Sequence, residues 1–379
     1  MIKESINHHI NRGIYTDGEN YSFDIMHIAK GLDKFSFNTP FLNPKHKPGQ
    51  FETSLNQIKF ADPKMFVPAQ YRDILNAHEP MNIEYGAFII ALKEALKKGI
   101  KEHYKDGEKY LFLHSAGYDS RIISAAMAEM RDEGIYKFDN IHFRCHQPEC
   151  DGFDYIMKAE GWPKDQYSCW EGPAKDYYDI GRPDINVNGW VPFVQQMNFW
   201  SDMIPKDQEK DWILICGLGG EIYKYQAQRI RAENHYCDNK MLNLLIDHNP
   251  HHGQWENQWA TRFRDILMPM WDYEFLQVSS RADTKFITNV GRDGGDNIRL
   301  DLVKAFGQYD IQVVPHGVHN YSWNISDKRK KQIHDLFYSG TFCKHYGKYL
   351  PKNINFTKNL YGWEAKLWSF AVTIYDKLC

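Results

Sequence analysis

Ser115-Ala116-Gly117-Tyr118-Asp119-Ser120 is the segment of this 379-residue chain whose residue types and spacing best support chemistry. It follows the apolar run Tyr110 to His114 and precedes a helical pattern from Arg121 to Arg131. Small residues let a backbone curl closely round an anion, and Ser115 and Ser120 offer hydroxyls. The amides of the first helical turn then point at phosphates. Asp119 would repel a phosphate unless a divalent cation lay between, so the pattern implies Mg²⁺. The plainer reading is a helix capped by Ser and Gly, with Asp119 as an ordinary first-turn acid. The segment is not GxGxxG and lacks the lysine of a GxxxxGK(S/T) loop, which disfavours dinucleotide and kinase-type phosphate sites.

A second glycine-rich turn, Ile215-Cys216-Gly217-Leu218-Gly219-Gly220-Glu221-Ile222-Tyr223-Lys224-Tyr225, lies about 100 residues on and also follows a strand-like run. Together the two segments resemble the SGGxDS and SGDGGDELFGGY elements of the asparagine-synthetase branch of the N-type ATP pyrophosphatases. The resemblance covers roughly residues 83–275. It implies an α/β fold of the adenine-nucleotide alpha-hydrolase type, with ATP and Mg²⁺ as cofactors. Asp119 and Glu221 become the expected metal pair. Leu113, His114, Ser115 to Ser120, Phe143, Arg144, Gly217 and Gly219 become the expected nucleotide contacts, with Phe143 and Arg144 acting through their backbone.

The implied reaction is adenylation of a carboxylate with release of pyrophosphate, then displacement of AMP by an amine or ammonia. A cation must offset charge on the leaving pyrophosphate. Arg121, Lys285, Arg292 and Lys331 are the candidates, and Asp119 and Arg121 complete the expected catalytic set with Lys285 and Arg292. Departures from the pattern are Ala116, Leu218 and Ile222. Ala116 stands where the family has Gly; a methyl group fits there if φ is negative, and Gly117 would keep the freedom most needed. Two alternatives follow: an adenylating enzyme that modifies or thiolates a nucleic-acid base, and a degenerate nucleotide-binding relative.

Position 2 is Ile and no cysteine precedes Cys145, where the glutamine-using relatives begin with a nucleophile cysteine, so glutamine hydrolysis by this chain is not expected. Free ammonia, another amine or a separate nitrogen-donor protein would serve. Cys145, Cys150, Cys169 and His146 could gather a Zn²⁺, and any of these cysteines could carry sulfur. The pairs His251-His252 and His316/His319 lack a third ligand at matching spacing and read as surface histidines.

These residues need elements to hold them. An apolar stripe at Phe88, Leu92, Ala95 and Leu96 predicts an amphipathic helix over 83–100, ending at Gly99. Strands are expected at 110–114, 140–144, 166–169 and 212–216, with helices over 121–131, 153–160 and 190–201. Alternation at this spacing predicts a doubly wound, mostly parallel sheet with helices on both faces. Residues 21–29 fit either a strand or a short helix, and 57–60 a strand. From Met241 on the pattern is mainly helical, with a further strand at 311–314. The expected division is an N-terminal extension 1–80, a synthetase-like domain 81–330 and a helical C-terminal extension 331–379.

Lys+Arg 46 against Asp+Glu 49 gives a net charge of −3, which excludes a broadly basic nucleic-acid coat but not a local basic groove. With 42% hydrophobic and 25% charged residues, the chain is globular rather than disordered. The seven cysteines form no CxxC pair, and a reduced, cytoplasmic protein is expected. No signal peptide or membrane span is expected, small-molecule substrates are, and the protein is expected to be a homo-oligomer.

Overall fold

The computed structural model describes residues 14–22, 25–42, 52–53, 55–62, 65, 80–146, 149–170, 203–217, 262–283, 285–286, 296–307, 335 and 338–349. At the centre stand five strands: β4 (Lys109–Leu113), β5 (Ile141–His146), β6 (Tyr167–Trp170), β7 (Trp212–Cys216) and β8 (Asp265–Leu267). They run parallel in the order β6-β5-β4-β7-β8. This is the doubly wound α/β class the sequence predicts. β4 is the first strand of the sheet; the chain winds outward from it to β5 and β6, then returns to lay β7 on its other side. The order therefore reverses between β4 and β7, which leaves a crevice outside their carboxyl ends.

The apolar β4 reads Lys109-Tyr-Leu-Phe-Leu113, with its three middle residues 0% exposed, as a strand covered on both faces must be. Helix α2 (Tyr85–His103) leads into it and buries Phe88, Leu92, Ala95 and Leu96, the stripe expected from the 3.6-residue period. The helix does not end at Gly99 but runs one turn further. Gly99 is there for close packing, because a Cβ would stand 2.7 Å from Oδ1 of Asp272. Helix α3 (Tyr118–Asp132) follows β4 and is tied to α2 by Lys93 and Lys97, which both bind Glu129 at 2.6 and 2.8 Å. Helix α4 (Cys150–Ala159) connects β5 to β6. Helices α5 (Tyr273–Ser279) and α6 (Asp296–Ala305) pack on α2, and α6 also reaches α3.

Three findings differ from the sequence expectations. β8 lies in a stretch expected to be helical; three residues are too few for any periodicity to register. Residues 21–29 are both alternatives in turn, β2 (Tyr21–Ser22) and then α1 (Ile25–Ala29). With β1 (Tyr15–Thr16) and β3 (Lys59–Phe60), β2 makes a small antiparallel sheet in the order β2-β1-β3.

The third concerns Cys150 and Cys169, expected as thiols, which form a disulfide with Cα atoms 5.7 Å apart. Parallel pairing sets Cys169 opposite Cys145, and α4 starts just beyond the end of β5, so its first residue reaches β6. Among the described residues, α7 (Thr341–Tyr346) returns to the N-terminal sheet region, with Tyr346 edge-on to Phe37 at 5.0 Å. No described helix is long and apolar enough to cross a membrane. The expected helix over 190–201 and strand at 311–314 lie outside the described residues.

Candidate nucleotide site

The loop between β4 and α3 sits at the crevice where the strand order reverses. Gly117 stands at the N-cap position of α3 with φ −75° and ψ 167°, and no side chain caps the helix there. The first-turn amides of α3, which intrahelical bonding leaves over, are thus directed out of the helix mouth. Around them the loop is knitted to itself. Ser115 donates its amide to Ser120 Oγ at 3.2 Å, the two hydroxyls lie 3.2 Å apart, and Gly117 donates to Ser115 Oγ at 3.4 Å.

Ala116 has φ +49°, in the left-handed region. The expectation that a negative φ would accommodate its methyl group is therefore corrected. So is the role given to Gly117, whose angles any residue adopts. The turn demands its left-handed residue at the second loop position, where this chain carries an L side chain.

The second motif meets the first through Gly217, the residue after β7. A Cβ on Gly217 would stand 2.9 Å from Ser120 Oγ and 3.1 Å from the Ser120 amide nitrogen. Leu218, Gly219, Glu221 and Ile222 lie outside the described residues, as do Arg292 and Lys331.

Asp119 projects from the first turn of α3 and pairs with Arg299 of α6, whose Nη1 lies 3.0 Å from Oδ1 and 3.3 Å from Oδ2. Both side chains are largely shielded, 17% and 12% exposed. The Arg299 and Arg121 guanidiniums stand 5.9 and 5.8 Å from the Tyr118 ring centroid. The described residues thus place one cation, one carboxylate and a helix mouth at a single crevice, with Arg121 beneath the loop. Both Asp119 oxygens are taken up by Arg299, so a hard cation there would have to replace that guanidinium, which would free Arg299 for an anion.

Of the other expected residues, Arg121 is 2% exposed and turned under the loop, where its Nε donates to the Ala116 carbonyl at 2.8 Å. Lys285 is more than half exposed and pairs with Asp283 of its own turn at 3.2 Å. Phe143 is a core residue, its ring 4.5 Å from that of Trp162. Arg144 is buried, donates Nη1 to Ser168 Oγ at 2.6 Å, and accepts the His114 amide on its carbonyl at 2.9 Å. Leu113 closes β4 at the floor of the crevice.

His114 is 1% exposed, and its pKa is pushed down to about 3 by burial, with the Arg121 charge adding to it. It is a neutral imidazole across the physiological range. Sequence reasoning missed Arg299 altogether. It missed the side-chain role of His114 and its partners Ser124 and Glu160 as well.

Away from this crevice, a cavity of about 430 Å³ opens at the amino ends of the strands, lined by Tyr110, Ile213, Asp265 and Asp272 among others. Glu102, His103 and Asp272 gather there within 4.8 Å. Asp272 is already engaged on both oxygens. Oδ1 caps α5 through the Glu274 amide at 3.0 Å, and Oδ2 holds His103 Nε2 at 2.7 Å. That group ties α2 to α5.

No protein-family model matches the chain, and no curated protein does. Among solved structures, the chain is similar to the U34-tRNA thiolase NcsA from Methanococcus maripaludis with its 4Fe-4S cluster. The match has 13% sequence identity and a TM-score of 0.30, over 73% of this chain and 84% of that one. A superposition that loose bears no weight, and the doubly wound α/β fold stands on the strand order of this chain itself.

Proposed function

We propose that the chain is an adenylating enzyme of the N-type ATP pyrophosphatase kind, binding Mg²⁺-ATP over Ser115 to Ser120. The observation that carries this is the Gly217–Ser120 contact. It brings the loop and the start of the second motif, Ile215 to Gly217, to the switch point of the sheet, the place where open α/β folds bind their ligands. The helix mouth of α3 would take the phosphates, and Arg299 would offset charge as the bond between the α and β phosphates breaks. Mg²⁺ held by Asp119, with Glu221 as the second expected ligand, would neutralise phosphate oxygens. Most of the work assigned to the protein is positioning and charge stabilisation.

The acceptor divides this reading. A carboxylate passed on to an amine rests on the resemblance of 215–225, of which only the first three residues are described. A nucleic-acid base activated for thiolation has a structural observation behind it. Cys145, Cys150 and Cys169 gather where β5 and β6 end, one strand over from the loop, and the Cys150–Cys169 bridge is a pair able to exchange with a sulfur donor. Of the two acceptors, the described residues favour the second.

Pyrophosphate release with Mg²⁺-ATP, measured across panels of carboxylic acids, amines, RNA and DNA, tests both levels. Turnover that requires RNA or DNA and is lost in Asp119→Ala supports the base-modifying reading. Turnover with a free carboxylate and an amine restores amide synthesis. Absence of ATP binding by the native chain would sink the adenylating reading entirely.

A further inference from the structure

Ala116 and Phe138 are the non-glycine residues with positive φ among those described, and Ala116 lies at the centre of the phosphate loop. Its peptide groups are held on both sides. Arg121 Nε takes the carbonyl at 2.8 Å, and the Ala116 amide donates to His114 Nδ1 at 3.1 Å. The second bond fixes the state of the imidazole, because a backbone N–H only donates. Nδ1 must be the lone-pair nitrogen, so Nε2 carries the proton and donates to Ser124 Oγ at 3.1 Å. Ser124 then donates to Glu160 Oε1 at 2.9 Å, and Trp162 Nε1 donates to Glu160 Oε2 at 2.8 Å. Ser124 is 0% and Glu160 1% exposed, so the chain of bonds is shielded from water.

We infer that His114 is the positioning residue of the phosphate loop: its imidazole, aligned by Ser124, Glu160 and Trp162, holds Ala116 in the left-handed conformation that the loop requires. The bond from residue 114 to the amide two residues on has the reach of an Asx-turn, with imidazole in place of the carboxamide. A glycine at 116 would adopt the same angles without restraint; this chain has an alanine and supplies a clamp. The rings of Phe112 and Phe153, at 5.4 and 5.3 Å, fill the space round the imidazole and keep it from rotating away. Burial also keeps it neutral, and a protonated Nδ1 would set two N–H groups against each other.

The inference rests on the phosphate-loop reading, and the test separates the two. Hydrogen exchange of the Ala116 amide, expressed as a protection factor in ligand-free protein, needs no knowledge of the ligand. Binding of inorganic pyrophosphate and of Mg²⁺-ATP is measured by calorimetry on the same samples. His114→Ala, with its circular dichroism retained, is expected to lose at least tenfold in Ala116 protection and about tenfold in affinity.

His114→Asn, whose Oδ1 can accept the same amide, is expected to recover most of that protection. Ala116→Gly added to His114→Ala is expected to recover most of the affinity, because glycine needs no clamp. Wild-type protection and affinity in folded His114→Ala would overturn the inference. Should that variant not fold, a folded His114→Asn without Ala116 protection would overturn it equally. If the native chain binds neither pyrophosphate nor Mg²⁺-ATP, the nucleotide reading fails, while the exchange result still decides whether His114 holds the loop.

Discussion

Arg299 and Asp119 stand 180 residues apart in sequence and 3.0 Å apart in space, a cation of α6 closing on the first-turn acid of α3. The pair lies between the exposed and the buried regimes. Removing one partner strands a largely shielded charge, so Asp119→Asn and Arg299→Leu are each expected to cost about 1–3 kcal/mol. The double variant is expected to cost less than the sum by about 1 kcal/mol. Urea titrations of the four proteins measure this coupling, and additive costs would show that the contact carries no energy. If Arg299 also meets the leaving pyrophosphate, Arg299→Leu should lower its release by about 100-fold.

Gly217→Ala tests the crevice from its other wall. The new methyl group would face the Ser120 amide nitrogen at 3.1 Å and its Cα at 3.2 Å, and backbone cannot step aside as a side-chain tip can. The first turn of α3 is expected to shift, weakening Mg²⁺-ATP binding by about tenfold and stability by about 1–2 kcal/mol. Calorimetry with an unchanged dissociation constant would mean that the crevice is wider than the contact implies.

What could be read in advance follows from how local the determinants are. The α2 stripe repeats within one helix, so Phe88, Leu92, Ala95 and Leu96 announce their own burial. The placement of 115–120 between a strand and a helix was legible because it depends on adjacent residues. Arg299 was not, because only the packing of α6 on α3 selects it from among the many cations of the chain. The left-handed turn fell one residue from its expected place, since sequence shows where glycine stands but not where φ is positive. At Ala116 that local mismatch is offset by His114, Ser124 and Glu160, a compensation that exists only once α3 and the turn after α4 meet.

The Cys150–Cys169 bridge ties the edge strand β6 to the start of α4 over a separation of 19 residues. A loop of that length is expected to add about 3 kcal/mol by restricting the unfolded chain. Cys150→Ser and Cys169→Ser should each lose this amount in guanidinium titrations of the oxidised protein. Neither should differ much from the native chain once reductant is present. Peptide mapping without reductant should return 150 and 169 in one linked peptide, and separate alkylated peptides would contradict the bridge.

His103 and Asp272 provide a pH test remote from the crevice. The hydrogen bond to Asp272 raises the His103 pKa above 6.5, and it outweighs the opposing effect of burial. A group whose folded pKa is raised contributes fully below its unfolded pKa and loses that contribution as pH rises through the folded value. Stability carried by this pair is therefore expected in full below the unfolded value of about 6.5 and to fade as pH rises through the raised folded value. In urea titrations from pH 5.5 to 8.5, the native chain should lose more stability than His103→Gln, which cannot titrate. Because Asp272 also caps α5, Asp272→Ala should lower stability at every pH as well as abolish the slope. Parallel pH curves for the native chain and His103→Gln would mean that the bond stays neutral throughout. In that case Asp272 would serve α5 as a cap and nothing more.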